Sequence, residues 1–269
     1  MDTTPPVILS FAPHDPAGRS GLQAIAEVIA SLGGHCASVA TALCASSSSD
    51  ERELIAVDSN LLIQQARSVL EDMPVAAIYV SYAGSVANLE AIHSILEDYP
   101  QIPVISAAAL QYWDNNSQAI ADYPNACSEL LIPTSKLLIC DNTQTPLLTS
   151  HAPVTEGLIH QLFACNCDYV LSYQCSKSSR SFEYTLYDED TILSTYNWQA
   201  GCCQPQSSAV EDILSAAIAS YVAHGSSVET AVQEGLKFAS QAAAHARRIG
   251  FDTPIPNRFF WAEAINAKR

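Results

Sequence analysis

The sequence predicts an α/β fold: a mostly parallel sheet with helices on both faces and an antiparallel edge. Short apolar, β-capable runs alternate along the chain with stretches whose apolar residues recur at helical spacing, the order that produces crossovers between parallel strands. The edge is set by residues 181–197, SFEYTLYDEDTILSTYN, which alternate about an acidic turn at Asp188-Glu189-Asp190 and read as a β-hairpin.

Val7 to Phe11 is the first strand. Pro13, Pro16, Gly18 and Gly21 punctuate the loop after it, and Leu22, Ile25, Val28, Ile29 and Leu32 give the following helix its apolar stripe. A strand, a Gly-containing loop and a helix N-terminus at the carboxyl edge of a parallel sheet form a site for small, often anionic ligands. Asp15 falls in that loop, although the spacing Asp15-Pro16-x-Gly18-x-x-Gly21 also suits a turn that is Gly- and Pro-rich for steric reasons alone.

His35 to Leu43 suits a second strand, and the CASSSSDERE that follows reads as a polar loop, either a lid beside the sheet or a solvated linker. Asn60 to Glu71 is a surface helix, Val75 to Val80 a buried strand, Ser85 to Asp98 a helix and Ile102 to Ser106 a strand. Asn115 to Leu131, broken by Pro124, gives two short helices; Lys136 to Cys140 is a strand with Asp141-Asn142-Thr143 as a loop at its carboxyl end; Val154 to Cys165 is helical and Tyr169 to Ser172 is the next strand. Ser207 to Ala223 and Ser227 to Arg248 are Ala-rich helical patterns separated by Gly225, and Ser208 with Glu211 fits a capping box. The tail cluster Phe259, Phe260 and Trp261 packs against the body or, if exposed, makes a subunit contact.

A chain of 269 residues is expected to form one domain over 1–269. Its 12 basic and 28 acidic residues give a net charge of -16, which argues against nucleic acid and anionic membrane as partners. A phosphate-bearing ligand would need helix amides, a metal ion or one of the few cations such as Arg19, Lys177 or Arg180. No apolar run approaches the roughly 18 residues that span a bilayer, and the start MDTTPP lacks the features of a signal peptide, so a cytoplasmic location is expected. The nine cysteines read as reduced thiols; Cys165-Asn166-Cys167 and Cys202-Cys203 lack the paired knuckles of a structural zinc site. Gly18-Arg19-Ser20-Gly21 is not a GxSxG elbow, and His14 and Asp15, adjacent in a loop, do not read as a catalytic pair.

The order of elements and several local sequences resemble the hydroxymethylpyrimidine and phosphomethylpyrimidine kinases of thiamine biosynthesis, within the ribokinase-like superfamily. Members begin with a strand and AGTDPSGGAGIQAD; SFAPHDPAGRSGLQAI retains Asp15, Pro16, Gly18, Gly21, Gln23 and Ala24. The family's Leu-Gly turn and ITALVAQN resemble Leu32-Gly33 and VATALCASS, and its late GTGCTLSAALA is similar to the run Ala209 to Ala219, AVEDILSAAIA.

The resemblance implies a three-layer αβα ribokinase-like fold, a homodimer, and transfer of the γ-phosphate of ATP, with Mg2+, to the hydroxymethyl group of a small pyrimidine or to its phosphate. It implies Asp212 as the general base, Asp15, Gly18, Gly21, Gln23 and Ser46 on the acceptor, and Asn142, Ala209, Val210 and Glu211 on the nucleotide and its anion, with Asn142 also organising the metal. A carboxylate at a helix N-terminus suits that task, because it stays ionised and leaves the backbone amides free for developing negative charge.

The chain departs from the family pattern at several points. Ala209 and Glu211 stand where the family has two glycines, Ser172-Tyr173-Gln174 replaces a Lys-Gly-Gly, Gln144-Thr145 follows Asn142-Thr143 without the family's Glu, Ser46 replaces a Gln, and Ile25 replaces the Asp of QAD. Two like charges about 4 Å apart repel by about 4 kcal/mol at an effective dielectric near 20, so an inward Glu211 opposes phosphate unless it holds a magnesium ion. The alternative reading is a catalytically silent relative with a degraded ATP site, acting as a ligand-binding or regulatory protein.

Overall fold

The computed structural model describes residues 4–46, 51–110, 122–149, 157–176, 181–189, 191–199, 208–251 and 254–262. The chain opens with β1 (Val7–His14), α1 (Gly21–Ser31), β2 (His35–Ser46) and β3 (Glu51–Ala56), followed by α2 (Ser59–Asp72), β4 (Val75–Val80), α3 (Val86–Asp98) and β5 (Val104–Ala107). A short α4 (Asp122–Ala126) runs through one turn of π-helix (Cys127–Leu131) and a 3-10 turn (Ile132–Thr134) into β6 (Leu137–Asp141). Then come α5 (Thr145–Leu148), α6 (Leu158–Phe163), β7 (Tyr169–Ser176), β8 (Ser181–Asp188), β9 (Thr191–Gln199), α7 (Ser208–Ala223) and α8 (Val228–Ala244).

The strands make a nine-stranded sheet in the order β3-β2-β1-β4-β5-β6-β7-β8-β9. From β2 to β7 all neighbours are parallel. In β1, every residue from Val7 to Pro13 is buried, as a central parallel strand covered on both faces requires. Helix α7 packs between α1 and α8, with α1 and α7 against β1, while α3 packs against both α2 and the π-helical turn.

Both edges of the sheet are antiparallel, one more than the sequence predicts. The hairpin of β8 and β9 closes one edge, with Glu189 in the left-handed region at its turn. At the other edge, six residues of the expected 44–53 loop are strand: β2 runs on to Ser46 and β3 returns beside it, with Leu43 opposite Ile55. Those two side chains are 53% and 59% exposed. One face of this ribbon is open to water and the other, with Cys44 opposite Leu54, is only half-buried, so ERELIA carries too weak a strand pattern to read. Part of the expected Asn115 to Leu131 and Val154 to Cys165 helices, Lys177, Arg180 and Cys202-Cys203 lie outside the described residues.

This strand order fixes where a ligand goes. From β1 the chain moves outward to β2 and β3, then returns to the other side of β1 as β4. That reversal is a switch point, and open parallel sheets bind ligands in the crevice outside the carboxyl ends of strands at such points. The carboxyl ends of β1 and β4 carry Asp15 and Ser81.

Candidate active site

The loop after β1 is wound around Asp15, whose carboxylate is 3% exposed. Its Oδ1 accepts the Ala17 amide (2.9 Å), and its Oδ2 accepts the Arg19 amide (3.1 Å), the Ser20 amide (3.3 Å) and the Ser20 hydroxyl (3.4 Å). The Asp15 carbonyl accepts the Gly18 amide at 3.0 Å. Gly21 sits at φ +66, where a Cβ would lie 2.2 Å from the Pro13 carbonyl oxygen. Only glycine fits there, which is the physical content of that position in the motif.

Helix α1 begins at Gly21, and its first free amide is given to the far end of the chain. The Gly21 N–H donates to Asp212 Oδ2 at 2.7 Å. Asp212, directly after the first turn of α7, is 1% exposed, and its Oδ1 accepts the Tyr79 hydroxyl (3.0 Å) and the Ser81 hydroxyl (3.1 Å). The carboxylate thus lies at the β1/β4 switch point, held by β4 from below and by the N-terminus of α1 from the side. Burial, and then the charges of Asp212 and Glu211, push the Tyr79 hydroxyl well above its ordinary value, so it remains a donor to the carboxylate.

A second carboxylate faces the other way. Glu211 is 7% exposed and accepts the Tyr173 hydroxyl at 3.1 Å. Tyr173 stands in the middle of β7, opposite Asp141 at the carboxyl end of β6, in an aromatic bed with Tyr184 and Phe182, ring centroids 5.5 and 6.3 Å away. Burial, then Glu211 and Asp141, hold the Tyr173 hydroxyl well above its ordinary value. Beyond β6, the Asn142 amide donates to the Tyr173 carbonyl (2.8 Å), and Asp141 Oδ1 accepts the Thr143 amide (2.7 Å) and hydroxyl (2.8 Å). Ala209 and Val210, 6% and 4% exposed, complete the buried first turn of α7.

The structure brings Asp15, Gly18, Gly21 and Asp212 together, and sets Glu211 and Asn142 on either side of Tyr173. Gln23 is exposed; its amide donates to Glu27 (3.3 Å), and its side chain lies over Gly18. Ser46 ends β2 opposite Glu51, and its side chain, like that of Ser208 in the expected capping box, lies outside the described residues. Sequence reasoning missed Tyr79, Ser81, Tyr173 and Arg258. A hydroxyl-bearing residue inside the apolar run VAAIYV, followed directly by Ser81, was the available sign of the first two.

A family model described as phosphomethylpyrimidine kinase matches residues 15–255. The chain belongs to the phosphomethylpyrimidine kinase family. Among curated relatives, it is 22% identical over 258 residues to the thiamine biosynthesis multifunctional protein ThiED of Corynebacterium glutamicum, an alignment covering 92% of this chain but 33% of that protein. The chain therefore spans a third of that relative's length. Its fold is similar to an ADP complex of Bacillus subtilis pyridoxal kinase, with a TM-score of 0.84 at 15% identity, covering 96% of this chain and 99% of the other. It is also similar to the phosphomethylpyrimidine kinase of Clostridium difficile, with a TM-score of 0.68 at 18% identity, covering 85% and 96%. The phosphomethylpyrimidine kinase family match spans both halves of the site, from Asp15 through Asp212, and the fold is ribokinase-like. No helix among the described residues is long and apolar enough to cross a membrane.

Proposed function

We propose that this chain is an ATP-dependent phosphotransferase of the hydroxymethylpyrimidine and phosphomethylpyrimidine kinase type. It transfers the γ-phosphate of ATP to a pyrimidine hydroxymethyl group or its phosphate in thiamine biosynthesis. The observation that carries the reading is the 2.7 Å contact between the Gly21 amide and Asp212 at the switch point. It joins the acceptor loop of the early motif to the carboxylate of the late one, across 191 residues of sequence.

Asp212 is the general base. Three protein donors stabilise its charge and fix its orientation, and the proton of the acceptor hydroxyl passes to it as the phosphoryl group arrives. Asp15, Gly18, Gly21, Gln23 and Ser46 surround the acceptor, and the first turn of α7, Ala209 to Glu211, faces the phosphate.

Magnesium is bound by hard oxygen ligands, one or two carboxylates together with substrate phosphates. Glu211, Asp141 and the side-chain oxygen of Asn142 are donors of that kind and fit such an ion. Among the described residues no group of three or more His, Cys, Asp or Glu gathers into a cage, so the metal would arrive with the nucleotide. Once bound, it would neutralise the charge of the transferred group and answer the repulsion that Glu211 otherwise presents. The partner is a small-molecule pyrimidine, and the working form is a cytoplasmic homodimer of a single kinase domain over 1–269.

Purified chain given hydroxymethylpyrimidine, ATP and magnesium is expected to release ADP, and Asp212→Asn to lower that rate by about a hundredfold or more. Absence of turnover together with absence of ATP binding by calorimetry would reject the reading and leave a silent, ligand-binding relative.

A further inference from the structure

Arg258 lies in the Pro-flanked segment after α8, yet its side chain reaches the loop after β1. It is 4% exposed. Nη1 donates to the Gly18 carbonyl (2.9 Å) and to Glu27 Oε2 (3.2 Å), and Nη2 donates to the Arg19 carbonyl (2.6 Å). Its backbone is pinned as well: the Arg258 carbonyl accepts the Ser31 hydroxyl (2.7 Å), which in turn accepts Trp261 Nε1 (2.8 Å). Nearby, the Asn257 amide donates to the Ala242 carbonyl (2.9 Å), and the Phe260 ring packs on Phe238 at 5.4 Å. The segment is thereby fastened to both α1 and α8.

Burying a guanidinium is expensive unless its fork is matched by acceptors. Anchoring a tail would not need it, since Phe260 and Trp261 already do that. What the fork grips is more specific. The Asp15 carboxylate holds the turn by its amides at Ala17, Arg19 and Ser20, and Arg258 holds the same turn by its carbonyls at Gly18 and Arg19. The next residue, Gly21, gives its amide to Asp212. Burial lowers the basicity of Arg258, and Glu27, Asp212 and Asp15, in that order, act against the lowering; its positive charge thus lies within reach of both site carboxylates.

We propose that Arg258 is a positioning residue: it locks the Asp15 to Gly21 turn from behind and, through the Gly21 amide, sets the orientation of Asp212. The kinetic consequence rests on the phosphotransferase reading; the structural one does not.

The test uses the full chain with Arg258→Met, Arg258→Lys, Glu27→Gln and, as a control that loosens the tail but spares the fork, Trp261→Phe. Hydrogen exchange of the ligand-free protein is read at the amides of Ala17, Arg19, Ser20 and Gly21, with β5 and β6 as internal reference. Loss of hydrogen bonds from a charged group should speed exchange at the four loop amides by about tenfold or more in Arg258→Met and by about threefold in Glu27→Gln. The reference strands should not change, and Trp261→Phe should leave the four amides alone. In turnover, Arg258→Met should lower kcat about tenfold with the KM for ATP unchanged. Arg258→Lys should fail to rescue it, because an ammonium cannot span two carbonyls and a carboxylate.

Unchanged loop exchange in Arg258→Met, or an equal effect from Trp261→Phe, would overturn the proposal. If Arg258→Met does not fold, the Glu27→Gln and Arg258→Lys arms decide on the same four amides. A wild-type chain that transfers no phosphate but whose variants show the exchange pattern upholds the positioning role while rejecting the function.

Discussion

At the scale of single residues, the site is a contest for buried backbone amides. Helix α1 has no side-chain cap from Ser20, so its first amides must find acceptors elsewhere. Asp15 takes the amides of Arg19 and Ser20, just ahead of the helix, from within the loop, and Asp212 takes the first helical amide, that of Gly21, from across the molecule. The arrangement tolerates no side chain at Gly21. We expect Gly21→Ala to cost about 2 to 4 kcal/mol of stability, from positive φ and the overlap with Pro13, measured by urea unfolding; a loss below the error of that measurement would refute the steric argument. Asp15, Gly18 and Gly21 were legible in the sequence because a tight turn leaves its demands on neighbouring positions. Tyr79, Ser81 and Arg258 were not, because a hydrogen bond across 133 residues, as between Tyr79 and Asp212, leaves at most a hydroxyl in an apolar run and nothing that names its partner.

At the scale of elements, the β2–β3 ribbon is held where it meets the sheet by one amide side chain. Asn88 is fully buried at the start of α3, and its Nδ2 donates to the carbonyls of Ala83 (2.9 Å), Thr41 (3.1 Å) and Val57 (3.2 Å). Gly84 allows the close approach, since a Cβ there would lie 2.5 Å from the Thr41 carbonyl oxygen. Asn88→Ala should therefore destabilise the chain by about 2 to 3 kcal/mol, through the Ala83 and Val57 carbonyls that lose this donor, while the Thr41 carbonyl keeps the Val57 amide at 2.9 Å; the denaturant midpoint measures it. An unchanged midpoint would show that the ribbon is held by its ladder alone. The helices and buried strands were legible from periodicity, with ends moved by a few residues: α2 spans Ser59–Asp72 against Asn60 to Glu71 expected. The ribbon was not, because an edge strand open to water on one face and only half-buried on the other carries little burial pattern.

At the scale of the whole molecule, burial decides the behaviour of the thiols. Cys127, Cys140 and Cys167 are each pushed up by burial from an ordinary 9.0 to about 12. The folded chain keeps these protons where the unfolded chain loses them, so the stabilisation is fully present below about pH 9 and is lost as pH rises through about 12. Tyr79 and Tyr173, also raised, act in the same direction at higher pH. The urea midpoint should fall steadily from about pH 9 toward about pH 12; a flat profile would contradict the burial of these groups.

The sequence by itself determined the alternation of strands and helices, the hairpin of β8 and β9, the turn built on Asp15 and Gly21, and the late acidic pair, because each depends on neighbours within a few residues. Tertiary structure alone decided the strand order that puts β1 beside β4. It also decided the turning of Asp212 toward the Gly21 amide and Glu211 toward Tyr173, and the reach of Arg258 back into the first loop. Those choices depend on which buried donor meets which acceptor once the sheet has closed, and adjacent residues such as Glu211 and Asp212 differ in partner only because a helix turns about 100° between them.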